Sequence, residues 1–336
     1  RDRCARLGVD ASLLTGVGDD KVGTFILNFL ENEGVNTHCI PTIKGTRSSA
    51  VVLGIEPPDK FPLVYYRDNA ADSQITIDDV IKAKINDYKI VLLNGTALNI
   101  EPTRSATFFA AEVADKNDID VVLDLDFRAD QWHDYRAFGL TIRALLSKVK
   151  IAIGTEEEIL AATMSSTSQV TIKDQQISAP EIKGDIDSSI QQLLVLGIET
   201  LIVKKGSAGA SIHYPDGSKK DVPGFPVEIL NVLGAGDAFA SGFLYGILQD
   251  QNHNLWISSN NGISKFNPDS EVFTNFNSND GLQDSNYRKL AYYKGYDGIM
   301  YFGGINGFNA FNPNNFKDNK IAVSYTHLTL PTILPV

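Results

Sequence analysis

The chain has 336 residues, of which 43% are hydrophobic and 21% charged, so it can bury a large core and divide into more than one unit. Its formal net charge of −11 excludes a generic binder of nucleic acid or membrane surfaces. Its two cysteines, Cys4 and Cys39, cannot build a disulfide framework and lack the spacing of zinc ligands. These counts favour a soluble protein of a reducing compartment.

Strand-like and helix-like segments alternate between residues 9 and 250. The predicted elements, in chain order, are a strand at Ser12–Thr15, a helix from Val22 to Leu30 ended by Gly34, β-rich runs at Ser48–Ile55 and Phe61–Tyr66, a strand at Ile90–Leu93, a helix at Thr103–Ala114, strands at Val121–Leu125 and Ile151–Ile153, a helix opened by Thr155–Glu158, a helix at Ser188–Leu196, and strands at Leu201–Val203 and Ala210–His213. Residues 165–185 are polar and predict a surface loop. This rhythm predicts an α/β domain with a doubly wound, mostly parallel sheet.

Residues 251–320 show no helical period and contain an internal repeat. Leu255-Trp256-Ile257, Gly262 and Phe266-Asn267-Pro268 recur 45 residues later as Met300-Tyr301-Phe302, Gly307 and Phe311-Asn312-Pro313. A repeat of this length, built of short strands and Asn/Gly turns, is typical of β-propeller blades, and chance similarity of two Phe-Asn-Pro turns is the alternative. Residues 323–336 fit neither pattern.

A glycine-rich segment, Gly234-Ala235-Gly236-Asp237, precedes an apolar stretch with helical character. Consecutive backbone N–H groups in this segment can surround an anion, and a helix that begins near Asp237 adds its positive end. The aspartate would then lie beside a bound phosphate, where it could accept a proton from an attacking hydroxyl. A tight glycine turn with Asp237 as an ordinary N-cap explains the same residues.

Further segments accompany this motif. They are Leu7-Gly8, Val17-Gly18-Asp19-Asp20 and Gly23; Asp124-Leu125-Asp126-Phe127-Arg128; Thr155-Glu156-Glu157-Glu158; and Lys204-Lys205-Gly206-Ser207-Ala208-Gly209. Together with the glycine-rich segment they make residues 1–250 resemble the ribokinase-like, phosphofructokinase-B type carbohydrate kinases. Leu125, Asp126 and Thr155 depart from that family's Asp-Pro-Asn-x-Arg and Asn-x-x-Glu patterns.

The resemblance is closer to the family's kinases of 5-dehydro-2-deoxygluconate, a sugar acid of inositol catabolism. It rests on the lid sequence Phe61–Asp72, on Gly154–Glu158, and on Asn231-Val232-Leu233, which stands where most of the family has Asp-Thr-x. The implied fold is a ribokinase-like domain with a small β lid at about residues 37–72, called the lid below. The lid sheet is also where family members often form a homodimer.

The resemblance implies a role for each matching residue. Asp237 would be the catalytic base; Gly234, Ala235 and Gly236 the anion hole; Glu158 a ligand of Mg²⁺ through water; Arg67, Asn69 and Arg128 substrate-binding residues; and Lys204, Gly206 and Gly209 ATP-binding residues. ATP and Mg²⁺ would be the cofactors and a sugar acid the acceptor, with neither nucleic acid nor membrane as a partner.

Plainer structural interpretations of these residues stay open. Glu158 also fits an ordinary acidic first turn of a helix, and Arg128 a surface ion pair. Gly206 and Gly209 fit a turn that joins two strands, and Arg67 and Asn69 fit a solvated edge of the lid.

Residues 251–322 resemble two-component-regulator propeller repeats, which face the periplasm in their parent family, whereas the kinase resemblance implies a cytoplasmic enzyme. About one and a half blades cannot close a propeller. We therefore expect a chimera: a kinase domain at 1–250 that lacks segments at both ends, propeller-like repeats at 251–322, and an artefactual tail at 323–336. A propeller sensor or interaction module is the second functional hypothesis.

Overall fold

The computed structural model describes residues 4–5, 9–54, 63–172, 180–224 and 234–248, and within the C-terminal part 255–259, 262–267, 272–276, 278, 282, 287–294, 299–304 and 307–311. By its internal contacts the chain divides into two compact units. Nearly all of the first unit is Ala11–Ala240, and the second comprises Ser241–Val336 with Arg3–Asp10.

The described strands and helices are as follows. The strands are β1 (Val17–Gly18), β2 (Thr42–Ile43), β3 (Ala50–Leu53), β4 (Leu63–Tyr66), β5 (Ile90–Asn94), β6 (Asp120–Asp124), β7 (Ile151–Thr155), β8 (Val170–Thr171), β9 (Glu181–Ile182), β10 (Thr200–Lys204), β11 (Ala210–His213), β12 (Lys219–Val222), β13 (Leu255–Ser259), β14 (Gly262–Asn267), β15 (Val272–Phe276), β16 (Tyr287–Lys294), β17 (Met300–Gly304) and β18 (Gly307–Phe311). The helices are α1 (Lys21–Asn32), α2 (Ile77–Lys82), α3 (Thr103–Lys116), α4 (Tyr135–Leu145), α5 (Glu156–Thr163), α6 (Ile186–Leu194) and α7 (Ala235–Leu248).

A six-stranded sheet in the order β12-β11-β10-β7-β6-β5 forms the centre of the first unit. Strands β5, β6, β7 and β10 are parallel, while β11 and β12 add an antiparallel edge. Parallel strands are covered by helices on both faces and are therefore apolar along their whole length. Val121, Val122 and Leu123 of β6 are accordingly buried, as are Phe138 and Ile142 of α4. The predicted α/β domain is confirmed, and its mostly parallel sheet is mixed because of the antiparallel edge.

The lid contains an antiparallel pair, β3 and β4, where the sequence predicts two β-rich runs. Asp20, the N-cap of α1, ties this region to the helix. Its carboxylate accepts hydrogen bonds from the backbone N–H of Gly23 at 2.7 Å and of Ser48 at 2.8 Å. One aspartate thus satisfies an open helix end and anchors the chain that leads into β3.

Two local predictions are wrong. Ser12–Thr15 is not a strand: Ser12 forms only an isolated bridge with Asn36, and the strand is β1, which pairs with β2. The reason is the close approach of Gly18 to the chain before β3, since a Cβ there would lie 2.6 Å from the backbone nitrogen of Ser48. The predicted loop at 165–185 also contains the short hairpin of β8 and β9.

The 45-residue repeat corresponds to a structural repeat in the second unit. Leu255 pairs with Phe266 in the β13–β14 hairpin, and Met300 pairs with Phe311 in the β17–β18 hairpin, so the two registers are equivalent. Strand β15 extends the first hairpin and β16 the second, giving two three-stranded sheets. The residues 45 positions before β16 lie in α7 and not in a strand. The repeat that the two hairpins share therefore begins after that helix. The predicted propeller stays a prediction.

Residues 57–59 between the two predicted β-rich runs, the segment 231–233 and the tail 323–336 lie outside the described residues. Within the described part, no helix combines the length and the apolar character needed to cross a membrane.

Candidate functional site

Polar side chains stand at the carboxyl ends of three neighbouring strands. Asp124 is the last residue of β6, Thr155 the last of β7 and Lys204 the last of β10. Because these strands are parallel, the three positions lie at the same edge of the sheet. Ligands of open α/β sheets bind at this edge, which makes it the candidate active site.

Lys204 bridges two carboxylates at this edge. Its Nζ atom lies 3.0 Å from Oδ1 of Asp124 and 3.6 Å from Oε2 of Glu158. The side chain of Lys204 is 13% exposed and those of both carboxylates are 9% exposed, so the cluster is largely shielded from water. A charge cluster at this depth is retained only when its members are paired. Lys204 thus lies against the carboxylates, a contact that the sequence interpretation did not include.

Glu158 is held by the capping box of α5. Its Oε2 atom accepts a hydrogen bond from the backbone N–H of Thr155 at 2.8 Å, and Oγ1 of Thr155 accepts from the N–H of Glu158 at 3.3 Å. Thr155, which replaces the asparagine of the family motif, therefore performs the N-cap role that asparagine could also fill. Glu158 belongs to an acidic first turn and to the buried charge cluster at once.

The electrostatics of the cluster are dominated by burial. Burial raises the pKa of Glu158 to about 7, with Lys204 opposing the shift and Asp124 adding to it. Burial also raises the pKa of Asp124, again opposed by Lys204. Burial works to lower the pKa of Lys204, but the charges of Glu158 and Asp124 outweigh it and the pKa is raised. The ammonium is therefore charged at neutral pH and is the counter-ion of both carboxylates.

The glycine-rich segment lies beside this cluster. Gly234 has a left-handed backbone with φ of 74°, and α7 begins at Ala235. A Cβ added to Gly236 would lie 3.5 Å from Nζ of Lys204, so the ammonium reaches the first turn of the helix. Asp237 is exposed. Its charge raises the pKa of Asp124, after the larger effects of burial and of the charge of Asp126. The glycine-rich segment and Asp237 therefore lie near the charge cluster, and their roles as anion hole and base stay predictions.

The carboxylates suit a hard divalent cation such as Mg²⁺. Mg²⁺ is held by one or two protein carboxylates together with water and phosphate oxygens, and Glu158 with Asp124 provides that number. No group of three or more potential metal ligands occurs among the described residues. The donor set therefore fits a metal that arrives with a phosphate compound.

Arg128 lies at the same edge and contacts the lid. It forms an ion pair with Asp126 at 2.5 Å, and Tyr65 of β4 is within hydrogen-bonding reach of its guanidinium. Burial works to lower the pKa of Arg128, but the charges of Asp126, Tyr65 and Glu158 outweigh it, so the pKa is raised. Asp126 has φ of 41°, a conformation that non-glycine residues adopt rarely and that is frequent at functional sites.

Arg67 and Asn69 occupy different environments within the lid. Arg67 is largely buried and donates to Asp72 and to Gln131, each at 2.6 Å. Asn69 is exposed, has φ of 49°, and accepts a bond from Gln74 at 3.4 Å. The solvated-edge interpretation therefore describes Asn69 but not Arg67.

Gly206 and Gly209 lie in the turn that joins β10 to β11. Both have positive φ, and a Cβ on Gly209 would lie 2.0 Å from the carbonyl oxygen of Val222. The strand-joining turn therefore accounts for both glycines without a ligand. Their predicted role toward ATP stays a prediction.

Sequence reasoning missed several residues of this region. They are Asp124 as the partner of Lys204, Asp126 as the partner of Arg128, and Tyr65, Asp72, Asn99 and Gln131 around the two arginines. A signal for Asp124 and Lys204 was present, since Asp124 is the next-to-last residue of the predicted strand Val121–Leu125 and Lys204 directly follows the predicted strand Leu201–Val203. No local pattern marks Asn99 or Gln131.

Comparison with known proteins shows the family of the chain. The pfkB family carbohydrate kinase profile matches residues 3–255. A 5-dehydro-2-deoxygluconokinase of Clostridium tetani is 30% identical over 73% of this chain and 69% of its own length, and one of Clostridium beijerinckii is 28% identical over the same shares. The structure of a Vibrio cholerae fructokinase with fructose, ADP and calcium ion has a TM-score of 0.63 and 23% identity over 74% of each chain. The chain therefore belongs to the pfkB family of carbohydrate kinases, which are phosphotransferases.

Proposed function

We propose that the chain transfers a phosphoryl group from ATP to a hydroxyl of a sugar acid, with 5-dehydro-2-deoxy-D-gluconate as the substrate. The observation that carries the proposal is the convergence of Asp124, Glu158 and Lys204 on the first turn of α7, where Gly236 and Asp237 lie. The names of the similar curated proteins favour this sugar acid. The two lid-side arginines, Arg67 and Arg128, support an acceptor with oxyanion and hydroxyl groups.

In this proposal the exposed Asp237 accepts the proton of the acceptor hydroxyl. As that O–H bond breaks, the hydroxyl oxygen forms a bond to the terminal phosphorus of ATP, and the bond from that phosphorus to the bridging oxygen breaks to leave ADP. The backbone N–H groups of Gly234, Ala235 and Gly236 donate to the phosphoryl oxygens as charge develops there. The base thus acts on the acceptor hydroxyl and the anion hole on the transferred phosphoryl group, and both lie at the start of one helix.

The charged residues of the cluster hold the phosphates in place. Lys204 lies close enough to Gly236 to contact a phosphate oxygen while it remains near Asp124. Mg²⁺ bound with ATP would neutralise phosphate charge, and Glu158 is the residue that would hold its hydration shell. Arg67, Asn69 and Arg128 orient the acceptor, and Gly206 with Gly209 lets the nucleotide approach the backbone.

The experiment is a coupled assay of ADP release by the purified chain with Mg·ATP and 5-dehydro-2-deoxy-D-gluconate. Fructose and ribose, offered at the same concentration, are the matched control acceptors. Acceptor-dependent turnover that is higher with the sugar acid supports the proposal. Turnover only with the neutral sugars contradicts the substrate, and absence of turnover with all acceptors contradicts the activity.

We propose for the second unit that the two equivalent hairpins are blades of a propeller-type module joined to the kinase domain near residue 250. The matching registers of β13–β14 and β17–β18 support this origin. Long-read sequencing of the source DNA across codon 250 tests the junction. One continuous native reading frame contradicts a chimera, and two separate loci support it.

A further inference from the structure

A chain of polar contacts links the lid to the carboxyl edge of the sheet. Arg67, directly after β4, donates through Nη2 to Asp72 at 2.6 Å and through Nη1 to Oε1 of Gln131 at 2.6 Å. Gln131 lies in the segment that follows β6, and its Oε1 also accepts from Nδ2 of Asn99 at 3.1 Å. Asn99 follows β5, so the contacts join the lid to the ends of two strands of the central sheet.

The direction of each contact is fixed by Arg67. A guanidinium can only donate, so Gln131 must present its oxygen to it. An oxygen can only accept, so Asn99 must present its amide nitrogen to Gln131. The orientation of both amides therefore follows from one cation. The same argument assigns Gln131 Nε2 as a remaining donor and Asn99 Oδ1 as a remaining acceptor.

Each of the four residues linked by these contacts has one buried polar atom without a hydrogen-bond partner among the described residues. These atoms are Nε of Arg67, Oδ1 of Asp72, Oδ1 of Asn99 and Nε2 of Gln131. Two of them donate and two accept. Buried polar atoms are costly to leave unpaired, so a cluster of four points to a ligand that supplies both donors and acceptors.

The charge of these four residues limits which chemical group of a ligand can pair with them. Asp72 lies 2.6 Å from Arg67, so the positive charge of the arginine is already matched. A carboxylate offers only acceptors and would leave the oxygens of Asp72 and Asn99 unpaired. A hydroxyl both donates and accepts, so a polyol matches a cluster of two donors and two acceptors.

We propose that Asp72, Gln131 and Asn99 are positioning residues that orient Arg67 toward the hydroxyl groups of the acceptor rather than toward its carboxylate. The proposal rests on the proposed kinase function and refines the role of Arg67 within it. Arg128 lies nearby, since the charges of Arg128 and Arg67 both act on the carboxyl group of Asp130. Arg67 and Arg128 are thus neighbours.

The test compares Gln131→Leu with Gln131→Glu. The leucine removes the oxygen that accepts from Arg67, whereas the glutamate keeps it. Gln192→Leu is the matched control, since Gln192 is exposed on α6 and its amide donates to Oγ of Ser188 in the same helix. In each variant the Nη–H signals of Arg67 are followed by low-temperature ¹H–¹⁵N NMR, because Nη1 makes the bond to Gln131 and Nη2 the bond to Asp72; Arg67→Lys assigns the signals.

The wild-type chain should give a slowly exchanging Nη1–H signal of Arg67, retained in Gln131→Glu and in the control and lost in Gln131→Leu. An unchanged signal in Gln131→Leu overturns the positioning role, whether or not the chain phosphorylates any acceptor. This readout therefore separates failure of the inference from failure of the proposed function.

The second readout is kinetic. Gln131→Leu should raise the KM for the acceptor about tenfold, with kcat changed by less than about threefold and the KM for ATP unchanged. Gln131→Glu should lie closer to wild type. An acceptor that lacks the hydroxyl next to the reacting one should raise the KM of the wild type by a larger factor than that of Gln131→Leu, because the variant has already lost the contact with that hydroxyl. An equal rise in KM in both proteins contradicts a role of Arg67 in binding that hydroxyl.

Discussion

Nζ of Lys204 lies 3.0 Å from Oδ1 of Asp124, although the two residues are 80 positions apart in the chain. The contact joins the carboxyl ends of β6 and β10 across β7, which lies between them. It also places a cation beside the start of α7, where the glycine-rich segment of the proposed anion hole lies. A single ion pair therefore contributes both to the sheet edge and to the candidate site.

Replacing Lys204 by methionine should destabilise the first unit by about 3 kcal/mol, because Asp124 and Glu158 would be left as buried carboxylates without a counter-ion. Chemical denaturation measures the loss. Asp124→Asn in the Lys204→Met background should recover part of it, since one of the two unpaired charges is removed. Equal stability of wild type and Lys204→Met would contradict a buried, paired Lys204.

The capping box of α5 predicts opposite outcomes for two substitutions of Thr155. Thr155→Ala removes the cap and should cost about 1 kcal/mol, whereas Thr155→Asn, which restores a good N-cap, should stay within about 0.5 kcal/mol of wild type. The measurement is the free energy of unfolding in urea. Similar losses in both variants would show that the threonine methyl group, rather than the cap, is what matters.

Gly236→Ala separates the folding role of the glycine-rich segment from its catalytic role. The added Cβ would meet Nζ of Lys204 at 3.5 Å, an ordinary contact, and Gly236 lies in the first turn of α7. The stability should therefore stay within about 1 kcal/mol of wild type. The proposed anion hole, in contrast, would be filled by the methyl group, so kcat should fall by about tenfold or more. Unchanged kcat in a stable variant would argue against an anion hole at Gly236.

The anchor between α1 and the lid predicts an acid-sensitive contribution to stability. The pKa of Asp20 lies below its ordinary value of 3.8 because the backbone N–H groups of Ser48 and Gly23 donate to the carboxylate. A carboxyl whose pKa is lower in the folded state stabilises that state above the ordinary pKa, and loses the effect as the pH falls through the lowered value.

The difference in Tm between wild type and Asp20→Asn should therefore be present at pH 7 and shrink once the pH falls below about 4. A Tm difference of the same size at both pH values would contradict the assignment of this effect to the ionised carboxylate.

Local patterns were sufficient to predict the parallel strands and most helices of the first unit. Val121–Leu125 and Leu201–Val203 are apolar runs whose type and position follow from burial on both faces. The strand at Val17–Gly18 could not be predicted in this way, because it exists through its pairing with β2 and through the close packing of Gly18 against the chain before β3. Such contacts are tertiary and leave no period in the sequence.

The candidate site was predictable where a motif carries it and not where side chains meet from distant segments. The segment from Gly234 to Asp237 and the acidic turn that ends at Glu158 were evident from residue types alone. The contact of Lys204 with Asp124 depends on strand order in the sheet, and the contact of Arg67 with Gln131 depends on how the lid folds onto its edge. Neither order nor lid placement can be read from spacing.

The central claim is that Asp237 is the base of phosphoryl transfer at the start of α7. The most direct measurement is kcat of Asp237→Asn with Mg·ATP and 5-dehydro-2-deoxy-D-gluconate, together with the affinity of the variant for both substrates. We expect kcat to fall by about three orders of magnitude while both substrates still bind. A kcat equal to that of the wild type would contradict it.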